Sequence, residues 1–337
     1  MSAQPVIEID NNNQIFVSIA ALNEDYLLDT INDALEKAAK PDRISFGIFN
    51  QKFPGEPFED FSQFKNVRVI NATYDEPLGV GLARANSLML HAGEQFFCQI
   101  DAHNFFVDSW DKVLIDDYNA LHAHFPRVIL AQSIVHHNKT AYYSDRYRRN
   151  LKPSPVFPLT ISKEDGTATG DRSRQDEEKL FGRFLEHYTL CAGAEFFTSA
   201  HFIYEVPHDN TVIHAPEQEL TALRACTRGY RIFSRGESTM STLSRLKKIH
   251  KYVDNAGQEQ ELELDLEEYD KCVHVSLLRE NSRPGCVTMR RGIDHFSYLC
   301  GLNFGHFGAP DKESYDEYIR KSGYTFPRKT RERRPPQ

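Results

Sequence analysis

The chain has 337 residues, 40% hydrophobic, 12% aromatic and 26% charged, with 40 Lys+Arg against 48 Asp+Glu and a net charge of -8. That much apolar material can build a sizeable core, which excludes a disordered chain or a disulfide-stapled miniprotein, and the negative balance disfavours a general phosphate-coating role. Six scattered cysteines without a CxxC pair suit free thiols in a reducing, cytoplasmic compartment, and neither a leader pattern nor a bilayer-spanning apolar stretch is expected.

Ile15–Ala20 reads as a short buried strand. Asn23 offers a helix cap ahead of an apolar stripe at helical spacing, Leu27, Leu28, Ile31, Leu35 and Ala38. Lys37 and Lys40 suit the negative end of that helix, and Pro41 ends it. Ile44–Phe49 and Val67–Asn71 read as the second and third strands, Gly79–Leu90 as a helix and Phe96–Asp101 as the fourth strand. Asp108 or Ser109 caps a further helix that carries Trp110, Val113, Leu114 and Tyr118, and Arg127–Ser133 is a fifth strand. This alternation predicts an α/β fold with helices on both faces of the sheet.

The middle of the chain differs. Residues 150–187 are rich in Pro, Lys, Asp and Arg, and read either as a solvated loop or as a loop that gates a substrate. Sheet-like sequence resumes at Tyr188–Ser199, and a helix over Glu217–Thr227 ends at Gly229. The acidic run over 254–270 reads as an exposed face or loop, and the basic tail KTRERRPPQ as frayed.

The chemistry concentrates at Cys98-Gln99-Ile100-Asp101-Ala102-His103, where an apolar strand runs into Asp-x-His. Residues two apart on a strand point to the same side, so Asp101 and His103 at its frayed end can reach one cation. Carboxylate oxygen with imidazole nitrogen suits manganese or another divalent ion, which can bridge a diphosphate. The carboxyl end of a strand is also where an open α/β sheet binds ligands. The plainer alternative is a turn with a capping Asp. Upstream, Gly79-Val80-Gly81-Leu82-Ala83-Arg84 enters a helix, where Arg84 can reach a phosphate bidentately; the alternative is a loop glycine pair with a surface Arg.

Other residues read as structural. Trp110 suits core packing, with Asp111 in the first helical turn, and His122 and His124 suit a helix end. His136-His137 reads either as a metal-ligating pair or, more simply, as a polar loop, and the Arg146–Arg149 cluster either as a solvated patch or as a contact for an acidic acceptor or phosphate.

The order of these motifs resembles glycosyltransferase family 60, polypeptide N-acetylglucosaminyltransferases that modify hydroxyproline. IFVSIA, RISFGIFNQ, GVGLARANSL, FFCQIDAHNFFVDSWDKVLI, GAEFFTSAHFIYEVPHDN, PEQELTALRACTRGYRIFS and RRGIDHFSYLCGLNF match the family's landmarks in order, over residues 15–304. The resemblance implies the GT-A nucleotide-diphospho-sugar fold, with a mixed central sheet, over 15–304. Residues 1–14 would then be an extension, 150–187 a flexible loop region, and 305–337 a closing helix and basic tail. It also implies a metal-dependent retaining transferase that moves a sugar, N-acetylglucosamine favoured, from a UDP-sugar to a hydroxyl acceptor. A polypeptide acceptor is favoured and no membrane partner is expected. By position, Asp101 and His103 would be metal ligands, Ala20 and Arg84 with Asp101 would lie at the donor, and Glu217 would orient or deprotonate the acceptor.

The departures are specific. Pro216 and Gln218 stand where the family has Gly and a second Glu, and Ala21-Leu22-Asn23 replaces its Ser-Tyr-Arg. The family's third metal-binding His has no counterpart in 237–243; His250 is the nearest substitute, and Ser241 or Thr242 could hold a water instead. These departures motivate one rival reading, a degenerate scaffold acting as an interaction protein. RYRR and KTRERR motivate another, a transferase acting on a modified nucleic-acid base, which the net charge of -8 opposes.

Overall fold

The computed structural model of the protein describes residues 13–73, 79–132, 135–137, 159–161, 168–170, 179–188, 195–210, 217–235, 238–243, 247–253, 259–265 and 310–322. In chain order the strands begin with β1 (Ile15–Leu22), β2 (Ile44–Lys52), β3 (Val67–Thr73), β4 (Phe96–Asp101), β5 (Asn104–Phe106), β6 (Val128–Gln132) and β7 (Val135–His137). They continue with β8 (Leu159–Ile161), β9 (Ala168–Gly170), β10 (Lys179–Phe181), β11 (Phe184–His187), β12 (Glu195–Ser199) and β13 (Arg231–Ser234). The last are β14 (Met240–Leu243), β15 (Lys247–Val253) and β16 (Glu259–Asp265). The helices are α1 (Leu27–Lys37), α2 (Val80–Leu88), α3 (Trp110–His122), α4 (Phe202–Glu205), α5 (Glu217–Thr227) and α6 (Lys312–Ser322).

The main sheet has nine strands in the order β10-β11-β13-β6-β12-β4-β1-β2-β3. The chain steps from β1 to β2 to β3 in one direction, then returns to place β4 on the other side of β1, all four parallel. The direction reverses between β1 and β4, and the carboxyl ends of strands at such a reversal are where open α/β sheets bind ligands; there Ala20 pairs with Asp101. Beyond β4 the antiparallel β12 makes the sheet mixed, as the sequence led one to expect.

Both faces are covered because alternate side chains leave a strand on opposite sides. Ile15, Val17, Ile19 and Ala21 of β1 join a core with Leu27, Ile31 and Ala34 of α1 and with Trp110, Leu114 and Leu121 of α3. Phe16 and Phe97 point the other way, into a second core with Leu88 of α2, Phe202 of α4 and Ala222 and Ala225 of α5. On that second face, Ser18 Oγ of β1 and Ser87 Oγ of α2 are 2.6 Å apart. Gly47 leaves the space that the Phe16 ring fills, since a Cβ there would lie 2.3 Å from it.

Two expected caps are replaced by other devices. Asn23 adopts a left-handed φ of 45°, and its N–H donates to Gln51 O at 2.8 Å, so it turns the chain out of β1 rather than capping α1. Neither Asp108 nor Ser109 caps α3 through its side chain. Instead the Asp111 carboxylate, fully buried, accepts the N–H groups of Ala39 (2.7 Å) and Lys40 (3.1 Å), just past the end of α1. Trp110 Nε1 donates to Ala34 O at 2.8 Å, so the Trp-Asp pair fastens α3 to α1.

The segment read as a loop over 150–187 contains strands. β8 pairs with β9, and the β10–β11 hairpin extends the main sheet beyond β13. Gly182, at φ 60°, makes its turn, and the buried Phe184 anchors it; four apolar residues in two adjacent pairs, Leu180-Phe181 and Phe184-Leu185, show no alternation to read. Part of the acidic run, 259–265, is strand β16, paired with β15. The closing-helix motif at 290–304 lies outside the described residues. Among the described residues no helix is long and apolar enough to cross a membrane.

Glu94, just before β4, ties the amino ends of the strands together. Burial alone would raise its pKa, but bonds from Ser45, Arg68 and the Ala92 N–H outweigh it and lower the value from 4.5 to about 2. The folded state therefore gains stability from this carboxylate above pH 4.5, and loses it as pH falls toward about 2. A Glu94→Gln variant is expected to lose about 2–3 kcal/mol at neutral pH. Its stability should also fall less steeply with acid over that interval, read by urea unfolding at each pH; parallel pH profiles would contradict this account.

Candidate active site

The candidate site is assembled at the reversal of the sheet. Asp101 ends β4 with its side chain 35% exposed, while the Arg84 side chain beside it, from α2, is 2% exposed. Arg84 Nη2 donates to Asp101 Oδ1 at 3.1 Å, its Nη1 donates to Ile100 O at 3.4 Å, and its Nε lies 3.4 Å from Glu217 Oε1. The guanidinium expected to reach a phosphate is instead buried and engaged with the carboxylate that ends β4. One planar fork thus binds strand β4 to α2 and to the first residue of α5.

His103 follows in the turn after β4. Its Nδ1 is 3.0 Å from Glu24 Oε2, and the Glu24 side chain is 4% exposed against 24% for His103. When Nδ1–H donates to a carboxylate, Nε2 carries the lone pair, which is the tautomer a metal-ligating histidine uses. Thr30 Oγ1 of α1 donates to Ala102 O at 3.0 Å and holds the turn between the two residues. Each of the two candidate cation ligands therefore has its own buried partner, Arg84 for Asp101 and Glu24 for His103.

Behind this front lies a buried polar row. His208 Nε2 donates to Gln99 Oε1 at 2.7 Å, and His208 Nδ1 lies 3.4 Å from Glu217 Oε1. Burial drives the His208 imidazole well below its ordinary pKa, with Arg84 and Arg224 acting in the same direction. Burial raises the Glu217 carboxyl against the pull of Arg84, and Asp101 raises it further. Glu217, expected to face an acceptor, is only 7% exposed at its side chain and sits between Arg84 and His208.

The third-ligand candidates separate. β14, which carries Ser241 and Thr242, runs beside β5 with Thr242 opposite Asn104, one residue beyond His103. Thr242 Oγ1 is buried with no hydrogen-bond partner among the described residues. His250 lies in β15, opposite Leu262, in a two-stranded sheet of its own with β16. Among the described residues no group of three or more His, Cys, Asp and Glu is placed to hold a metal.

A family model described as Glycosyltransferase (GlcNAc) matches residues 56–323. The chain belongs to this glycosyltransferase family. The matched span of this glycosyltransferase holds α2, the Asp-x-His turn and α5. Among solved structures it is similar to GalNAc-T7 with UDP, GalNAc and Mn2+, at 13% identity and a TM-score of 0.47, covering 92% of this chain. It covers 55% of the GalNAc-T7 chain, little more than half its length. It is also similar to S. aureus TarS 1-349 in complex with UDP-GlcNAc, at 11% identity and a TM-score of 0.42, covering 92% of this chain and 80% of that one. No curated protein sequence matches it.

Three residues of the candidate site escaped the sequence reading. Glu24, Gln99 and His208 lie in LNEDY, FFCQID and EVPHDN, and for Glu24 and His208 nothing in periodicity or spacing marks a buried polar partner. For Gln99 a signal existed: it shares the Asp101 face of β4, two residues away. A cavity of about 310 Å3, lined by residues including His91, Phe96, Tyr118 and Tyr204, lies at the amino end of β4. The length of the strand sets it roughly 17 Å from Asp101, so it is not part of this site.

Arg84→Lys keeps the charge but cannot span Asp101, Ile100 O and Glu217 together. It is expected to cost about 2 kcal/mol in urea unfolding. A loss too small to resolve would show that the fork is not what joins these elements.

Proposed function

We propose that this protein is a metal-dependent retaining glycosyltransferase of the GT-A kind, related to family 60. It would move a sugar, N-acetylglucosamine favoured, from a UDP-sugar to a hydroxyl of an acceptor, a polypeptide favoured. The observation that carries the reading is the pair Asp101 and His103 at the reversal of the sheet, each held by a buried partner. Family membership and the order of motifs support the sugar chemistry, and the UDP-GlcNAc named for TarS and the UDP and Mn2+ named for GalNAc-T7 agree with it.

The residues present fit a divalent cation. Asp101 and His103 would hold it, with carboxylate oxygen and imidazole nitrogen as donors. When bound, such an ion neutralises charge on the departing diphosphate. Arg84 keeps Asp101 oriented by engaging Oδ1, and Glu24 fixes the His103 ring. Ala20, the register partner of Asp101 on the adjacent strand β1, carries a side chain too small to crowd a nucleotide there. In the transfer, the bond from C1 to the UDP oxygen breaks as the acceptor oxygen bonds to C1 on the same face, and the acceptor proton passes to the departing phosphate. Glu217 contributes by holding Arg84, with its carboxyl inside rather than at the acceptor.

The test is release of UDP and formation of product from UDP-N-acetylglucosamine, UDP-N-acetylgalactosamine and UDP-glucose, with each divalent cation in turn. Asp101→Ala is expected to lower kcat/KM by at least about a thousandfold in a folded protein. Glu24→Ala is expected to weaken Mn2+ binding about 10- to 100-fold. Wild-type turnover by Asp101→Ala would end this assignment, and a wild-type protein inert toward all three donors would favour a binding role for the scaffold.

A further inference from the structure

We propose that His208 and Gln99 are positioning residues that act through Glu217 and Arg84 to set the Asp101 carboxylate; this rests on reading Asp101 as a cation ligand. The row closes on a single strand. Gln99 and Asp101 share one face of β4, and from Gln99 the contacts pass to His208 (2.7 Å), Glu217 (3.4 Å), Arg84 (3.4 Å) and back to Asp101 (3.1 Å).

The point of control is Glu217 Oε1. It lies 3.4 Å from both His208 Nδ1 and Arg84 Nε, and neither nitrogen has a hydrogen-bond partner among the described residues. Arg84 Nε–H faces that oxygen as a donor, while His208, whose Nε2–H is given to Gln99, turns the lone pair of Nδ1 toward it. The oxygen is thus drawn to Arg84 from one side and backed by the held imidazole ring on the other, so removing either lets the carboxyl shift. Gln99, His208, Glu217 and Arg84 are 3%, 3%, 6% and 2% exposed, so only the Asp101 end of the row meets solvent. A displacement anywhere along the row has one outlet, the orientation of Asp101. Arg224 and Asp209 also bear on the row electrostatically, from α5 and from the residue next to His208.

The experiment uses the full chain and three measurements on His208→Phe and Gln99→Met, which keep volume and remove the hydrogen bond. Thermal melting reports folding. Hydrogen exchange of the Arg84 Nε–H, assigned against Arg84→Lys, reports the row with no ligand present. Electron paramagnetic resonance titration of Mn2+ with UDP reports the site. Both folded variants are expected to speed Arg84 Nε–H exchange and to weaken Mn2+ binding about tenfold. His208→Phe combined with Arg84→Lys should bind Mn2+ no more weakly than the worse single variant, because both cut the same row. Unchanged Arg84 exchange in a folded variant, or losses that add in the double variant, would overturn the row. Wild-type protein that takes up no Mn2+ would overturn the cation reading itself, while the Arg84 exchange still judges the row.

Discussion

One guanidinium carries the architecture of the site. Arg84 is buried to 2% and engages the carboxylate that ends β4, the carbonyl before it, and the carboxylate that begins α5. A buried cation is tolerated only where such partners surround it. That requirement brings α2, β4 and α5 together at the carboxyl end of the sheet. Polar groups with fixed partners therefore stand at that end of the sheet.

The sheet makes this arrangement possible through parity and strand order. Even positions of β1 and odd positions of β4 face α2, α4 and α5, while the others face α1 and α3. Asp101 belongs to the first set by its place in the alternation. His103 lies past the end of the strand, and is governed by the loop after β1, through Glu24, and by α1, through Thr30. The two residues of the Asp-x-His motif are thus supported from different sides of the sheet. The short spacing in sequence conceals two independent supports.

Local sequence was readable where one physical preference dominated. The apolar run Phe96–Asp101 has no competing reading as a helix, and the strand falls on those residues. The apolar stripe from Leu27 likewise marks α1. Asn23 misled because the side chain that favours a cap also tolerates left-handed backbone, and a hydrogen bond to Gln51 O decided for the turn. The β10–β11 hairpin was invisible because it gains its stability by pairing with β13, a partner far along the chain. Arg84 was legible as a charged residue in α2 but not in its burial or its partners. Exposure decides what a guanidinium can reach, and no spacing rule encodes exposure.

By itself the sequence determined the alternating α/β pattern, the strand that ends in Asp-x-His, and the order of motifs that places the chain among sugar transferases. These are local or sequential properties, set by periodicity, backbone preference and residue type. Only the tertiary structure decided which buried groups stand behind that motif. Glu24 reaches His103 and Glu217 reaches Arg84 across separations of 79 and 133 residues. Burial turns such distant encounters into obligations, because a charge removed from water needs a partner and the fold alone determines which partner is near.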